Sequence, residues 1–271
     1  MKKVQMLPSM ITLGNLLCGF AAICLSASFL RNVKPGMSPE QIYSFDASHS
    51  RLLELSFALI FLGMIFDVFD GKVARMTNAI SEFGAQLDSL ADAITFGIAP
   101  AFLSVILMQI NDGGDNFRKI FFIPSVFMIC AILRLARYNV EMNDEKEDVG
   151  YFKGLPTPAG AAGLISILWI QYTYNIVGPF IFIAIIIVSS ILLGGLEVSN
   201  MRYLHIGKKL LKDPKPIIFI PILLTSFFLI FTRPAIAVFV ISMGYILAST
   251  VVDVTKRIRE GRLASAFEEE T

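Results

Sequence analysis

Residues 61–75 read FLGMIFDVFDGKVAR and residues 81–95 read SEFGAQLDSLADAIT. Each stretch sets two aspartates, Asp67 with Asp70 and Asp88 with Asp92, inside a strongly apolar run. A central membrane aspartate costs about 2.5–3.5 kcal/mol to insert, so four placed deep would cost on the order of 10 kcal/mol. Such a cost needs a compensating cation or a shallow, wet cavity. The two stretches therefore say both where the chain lies and where its chemistry is concentrated.

The surrounding composition agrees. Of 271 residues, 55% are hydrophobic and 17% charged, with a mean hydropathy of +0.68. These values identify an all-α integral membrane protein. The formal net charge of +1 argues against a nucleic-acid partner. Cys18, Cys24 and Cys130 lie in apolar runs without metal-ligand spacing and read as packing residues.

Apolar runs predict about eight transmembrane helices, at 10–30, 52–75, 80–108, 118–140, 157–176, 178–196, 216–232 and 234–253. Met1-Lys2-Lys3 before the first run also has the form of a signal peptide. Gly14, Asn15 and seven later spans favour a retained first helix. Pro100, Pro124 and Pro221 fall inside spans and are expected to kink them. The whole chain, 1–271, reads as one membrane domain. Residues 7–200 form its core, and 201–271 supply a basic loop, the last two helices and a tail ending in Glu268-Glu269-Glu270.

With eight spans, both termini share one side of the membrane. Of the 23 lysines and arginines, all but Arg31, Lys34, Arg51, Arg118, Lys119 and Arg233 fall on that side. The positive-inside rule makes it cytoplasmic, along with the hairpin that carries the aspartates.

Helical spacing explains why four acids would meet. Asp67, Asp70 and Ala74 follow i, i+3, i+7; Gly84, Asp88 and Asp92 follow i, i+4, i+8. With a turn near 77–80, Asp70 lies about 12 Å from it and Asp88 about 13.5 Å, at 1.5 Å per residue. Antiparallel helices then bring the carboxylates to similar depth. Four close carboxylates do not all ionise without cations, and hard oxygen donors select Mg²⁺ or Mn²⁺. Two such ions suit phosphoryl transfer. Gly71, Ala74 and Gly84 leave room for a ligand near the backbone, and Arg75 offers a planar fork for a phosphate. The same acids would equally serve a cation transporter, and the small residues helix packing.

The pattern Asp67-x2-Asp70-Gly71-x2-Ala74-Arg75-x8-Gly84-x3-Asp88-x3-Asp92 resembles the signature of the CDP-alcohol phosphotransferase family at every fixed position and gap. The resemblance implies a six-helix core, a homodimer and two divalent metals held by Asp67, Asp70, Asp88 and Asp92, with Asp92 also a candidate base. It places Thr12, Asn15, Asp67, Gly71, Ala74, Arg75 and Gly84 around the CDP moiety. Thr12 and Asn15 also read as a helix cap and a membrane-entry polar pair.

Three further segments, LPSMITLGN (7–15), RLARYN (134–139) and FKGLPTP (152–158), resemble the family's phosphatidylserine-forming branch. The donor would then be CDP-diacylglycerol and the acceptor L-serine, in a prokaryotic cytoplasmic membrane. Serine needs a cation for its carboxylate. Arg134, Arg137, Asn139 and Lys153 are the candidates, the two arginines one i, i+3 face apart. Their alternative is to anchor the helix end among headgroups. Residues 143–150 form a candidate lid, or a solvated charged loop. Arg202, Lys208, Lys209, Lys212 and Lys215 would attract anionic membrane lipids at about 1 kcal/mol each. Glycerol 3-phosphate or an inositol phosphate remains a rival acceptor.

Overall fold

The computed structural model describes residues 3–33, 41–42, 47–77, 81–112, 117–141, 151–204 and 232–269. The expected span 216–232 up to residue 231, the candidate lid 143–150 and the basic loop 205–215 lie outside the described residues. Helix α1 is Lys3–Asn32 and α2 is Ala47–Met76. A third rod comprises α3 (Glu82–Asp92), a π-helical turn (Ala93–Ile98) and α4 (Ala99–Asp112). Then come α5 (Phe117–Glu141), β1 (Tyr151–Lys153), α6 (Thr157–Tyr174), α7 (Pro179–Val198), β2 (Arg202–Leu204) and α8 (Pro234–Glu269).

Six of these segments are long and apolar enough to cross a membrane: Ser9–Asn32, Arg51–Ala74, Glu82–Asp112, Phe121–Glu141, Pro179–Val198 and Pro234–Ile258. The protein is an all-α integral membrane protein. Helix α6 is shorter and less apolar, and most of its side chains are buried against neighbours. Its Thr157, Gln171 and Tyr172 are tolerated because they are buried against protein; Gln171, for example, donates to the Val177 carbonyl at 2.6 Å.

Two details depart from expectation. Helix α1 starts well before Thr12, so Thr12 is an interior residue and not a cap. Helix α8 continues to Glu269, so Glu268 and Glu269 belong to the helix. At Pro100 the irregularity falls before the proline. The Ala99 N–H donates to the Ile94 carbonyl, an i→i−5 bond, and Pro100 has no N–H to resume the ladder.

The aromatic core sits at the end of the bundle away from the aspartates. Phe57 near the start of α2 stacks on Trp169 at 5.8 Å and meets Tyr172 edge-on at 6.0 Å; Phe29 near the end of α1 meets Tyr172 at 6.3 Å. Such pairs add about 0.5–1.5 kcal/mol each beyond burial. At the opposite end, β1 and β2 pair antiparallel, with Phe152 opposite Tyr203. Tyr203 is fully buried and shares a hydrogen bond with Thr250 of α8 at 3.2 Å. Gly154 follows β1 at φ 78°, and its N–H donates to the Met201 carbonyl at 2.8 Å. This small sheet joins the ends of α5, α6, α7 and α8.

Candidate active site

Helix α2 delivers Asp67 and Asp70 in its last turns, and α3 delivers Asp88 and Asp92. Ser81 caps α3, accepting from the Gly84 N–H at 3.1 Å. That cap uses the half-buried Gly84 as part of the helix start, because its backbone approaches the serine closely. The expected turn is bracketed by Met76 and Glu82.

Carboxylate oxygens of Asp67, Asp70 and Asp88 lie within 4.8 Å of one another. Asp70 is buried, and Thr12 of α1 and the Gly71 N–H hydrogen-bond it. Asp92 stands one turn beyond Asp88 on α3, outside this trio but close enough to interact electrostatically with Asp67 and Asp88. Its Oδ1 accepts from Asn15 Nδ2 at 2.9 Å, and both residues are buried. Thr12 and Asn15 therefore touch the acids directly. Gly71 is exposed and Ala74 half-buried on the same helix. The backbone of Arg75 continues α2; its side chain is outside the described residues.

The acidic site fits a divalent cation. Asp70 Oδ2 and Asp88 Oδ1 are buried without a hydrogen-bond partner. Buried acceptors of this kind are costly unless a cation or ordered water meets them. Their hard oxygens, held from two helices, match what Mg²⁺ and Mn²⁺ take.

The arginines of α5 diverge although they are one turn apart. Arg134 points inward and is 7% exposed. Its Nη1 donates to Thr157 Oγ1 at 2.9 Å, and its guanidinium lies 5.7 Å from the centre of the Tyr138 ring. It interacts electrostatically with Asp67 and Asp92. Glu197 of α7, fully buried, lies near enough to interact with it electrostatically. The Glu197 carboxylate occupies the space that Gly160 leaves empty. Arg137 turns toward the sheet, donating to the carbonyls of Val198 and Lys153 at 3.0 Å and of Ser199 at 3.2 Å. Asn139 Nδ2 donates to Ser89 Oγ at 2.9 Å, between Asp88 and Asp92 in sequence. Lys153 Nζ is 3.5 Å from Glu141.

Of the four residues expected to hold an acceptor, Arg134 and Asn139 thus face the aspartate helices, and Arg137 and Lys153 face elsewhere. That elsewhere is a cavity of about 540 Å³ between the sheet and the ends of α5 and α8. Arg137, Lys153, Arg202, Lys256 and Arg257 line it, against the two acids Glu141 and Asp253. Arg137 is held largely by neutral carbonyls, which fix its geometry, and its Nε lies 3.9 Å from Glu141. Glu197, Ser89 and Thr157 escaped the sequence reading. Glu197 had one signal, an acid at the end of a run otherwise free of charge.

Residues 5–195 match the CDP-alcohol phosphatidyltransferase family. A relative from Methanocaldococcus jannaschii is 38% identical over 148 residues, 55% of this chain and 63% of the relative. One from Helicobacter pylori is 36% identical over 187 residues, covering 67% and 73% of the two chains. One from Bacillus subtilis is 32% identical over 204 residues, covering 74% and 92%. All three are named CDP-diacylglycerol–serine O-phosphatidyltransferase. The matched region runs from α1 into α7 and contains all four aspartates together with Arg134, so the chain belongs to the CDP-alcohol phosphatidyltransferase family of membrane transferases.

Proposed function

We propose that the protein transfers the phosphatidyl group of CDP-diacylglycerol to the hydroxyl of L-serine. The observation that carries this is the convergence of Asp67, Asp70 and Asp88 from two helices onto one point. The names of the relatives support serine as acceptor. In the reaction a bond forms between serine Oγ and the phosphorus that bears diacylglycerol. The bond from that phosphorus to the CMP phosphate oxygen breaks, and CMP leaves.

Asp67, Asp70 and Asp88 would hold the metal site, with Asp92 beside it. Two divalent cations, Mg²⁺ or Mn²⁺, when bound supply neutralisation of the acids and of charge on the departing phosphate. Asp92 receives the serine proton, directly or through one water. Asn15 orients the Asp92 carboxylate for that role, and Thr12 orients Asp70. Gly71, Ala74, Arg75 and Gly84 flank the nucleotide.

Serine is a zwitterion, and the basic cavity suits one. Its excess of cations draws a carboxylate, and Glu141 and Asp253 draw an ammonium. Arg134, between the acids and Glu197, is the residue assigned to grip the carboxylate at the reaction site. The excess of basic residues supports a cytoplasmic position for this end of the bundle, with both termini. A homodimer in the cytoplasmic membrane completes the reading, on the strength of the family resemblance.

The test is serine-dependent CMP release by the purified protein with Mg²⁺ or Mn²⁺, with labelled serine recovered in lipid. CMP release that follows glycerol 3-phosphate or an inositol phosphate would move the acceptor. Metal flux without CMP release would replace the reaction by transport. Asp92→Asn should lower kcat by at least about 100-fold, within the range for a lost general base; near-normal turnover would remove Asp92 from the chemistry.

A further inference from the structure

Asn15 is gripped twice by one short stretch of chain. Its side-chain Nδ2 donates to Asp92 Oδ1 at 2.9 Å, and its main-chain carbonyl accepts from Thr95 Oγ1 at 3.0 Å. All three residues are buried, Asn15 and Thr95 completely. Thr95 lies in the π-helical turn that begins directly after Asp92.

Two glycines make the second contact possible. A Cβ on Gly19 would stand 2.7 Å from Thr95 Cα, inside any permitted approach. A Cβ on Gly63 would stand 2.7 Å from Thr95 Cγ2 and 2.9 Å from Asn15 Oδ1. Both glycines sit inside helices, where glycine costs about 1 kcal/mol relative to alanine. Their compensation is that α1 and α2 both close around Thr95. Its hydroxyl reaches the Asn15 carbonyl past Gly19, while its methyl fills the notch at Gly63.

We infer that Thr95 is a positioning residue: with Gly19 and Gly63 it fixes Asn15, and through Asn15 the Asp92 carboxylate. The role rests on the transfer reaction proposed above, in which Asp92 accepts the proton. The two bonds act together. The Thr95 bond sets where the α1 backbone sits relative to the π-turn, and the Asn15 amide then meets Asp92 at a set depth. In an apolar interior such a linked pair is stiff. Stiffness matters here because a misplacement of about 1 Å at a reacting group can cost about 100-fold in rate.

The experiment compares the full chain with Thr95→Val, Gly63→Ala and the double variant Gly63→Ala/Thr95→Ser. The readouts are kcat, KM for each substrate and the thermal midpoint. Thr95→Val keeps the shape and removes the bond. Gly63→Ala drives a methyl into Thr95 Cγ2, and Thr95→Ser withdraws that methyl while keeping the hydroxyl. We expect kcat to fall about tenfold in each single variant, part of the loss that such a misplacement allows. Both KM values should stay within about twofold, and the double variant should recover part of the loss, because the new methyl still stands against Asn15 Oδ1. Unchanged kcat in both single variants would overturn the inference. So would a loss that tracks a falling thermal midpoint and is not rescued, because that is a packing role alone. A wild-type chain without serine-dependent CMP release would defeat the reaction and leave Thr95 to be tested by the same variants on whichever alcohol it uses.

Discussion

Asn139 of α5 and Ser89 of α3 hydrogen-bond each other, with Asn139 Nδ2 donating to Ser89 Oγ at 2.9 Å. Ser89 directly follows Asp88, so this bond ties the acid-bearing helix to the helix that carries Arg134. Asn139 is a candidate for serine binding on sequence grounds, and the bond to Ser89 gives it a second reading, that of a brace. Asn139→Ala and Ser89→Ala should each lower kcat several-fold, as expected for losing a bond of about 1 kcal/mol. Serine KM should hardly move. The double variant should lose little more than either single one, the signature of a shared contact. A serine KM that rises in Asn139→Ala but not in Ser89→Ala would restore Asn139 to the acceptor site.

Asp70 and Asp88 each carry a buried oxygen without a partner. Asp70→Asn or Asp88→Asn should reduce turnover at least about 100-fold by weakening charge stabilisation at the reacting phosphate. Mn²⁺ binding, followed by electron paramagnetic resonance, should weaken in parallel. Chelation of the wild type should abolish activity, and added Mg²⁺ or Mn²⁺ should restore it. Retained Mn²⁺ affinity in both variants would contradict the assignment of these acids as ligands.

Arg134 donates to Thr157 and interacts electrostatically with the buried Glu197. Truncating it to alanine would remove that bond and leave a cavity, so the conservative variant is the informative one. Arg134→Lys keeps the charge and loses the planar fork. It should raise serine KM roughly tenfold, from the strength of charge-assisted bidentate bonds, with CDP-diacylglycerol KM little changed. Hydrolysis of CDP-diacylglycerol should rise relative to transfer. Unaltered serine kinetics in this variant would place the carboxylate elsewhere, with the basic cavity next in line.

Gly154 holds a left-handed backbone at φ 78°, packed against the Glu197 carbonyl. Gly154→Ala should destabilise by at least about 1–2 kcal/mol from the backbone conformation alone. A thermal midpoint lower by several degrees is the expected readout, at about 2–4 °C per kcal/mol for a chain of this size. Arg137 donates to two carbonyls of the same joint, Val198 and Ser199. Arg137→Lys should therefore lower the midpoint too. A large rise in serine KM without loss of stability would instead mark Arg137 as an acceptor contact.

The amino-acid sequence alone determined that this is a helical membrane protein, which helix faces carry the acids, and the family those acids resemble. It could do so because these features are local. A 20-residue apolar run, an i, i+3 or i, i+4 spacing and a turn between two helices depend on neighbours along the chain. What tertiary structure decided lies between helices. Arg134 and Arg137 share a face by spacing, yet one reaches inward to Thr157 and the other outward to the sheet carbonyls, because α6 and α7 offer each a different partner. Thr12 turned from a cap into a buried partner of Asp70 because α1 packs along α2. Glu197, Ser89 and Thr95 became visible only once their partners on other helices were in place. The Asp67 and Asp92 carboxylates were bound to lie at comparable depth by the helical rise. That Asp92 meets Asn15 and a π-turn, while Asp67, Asp70 and Asp88 meet one another, was set by how three rods pack, and no spacing within one segment encodes that.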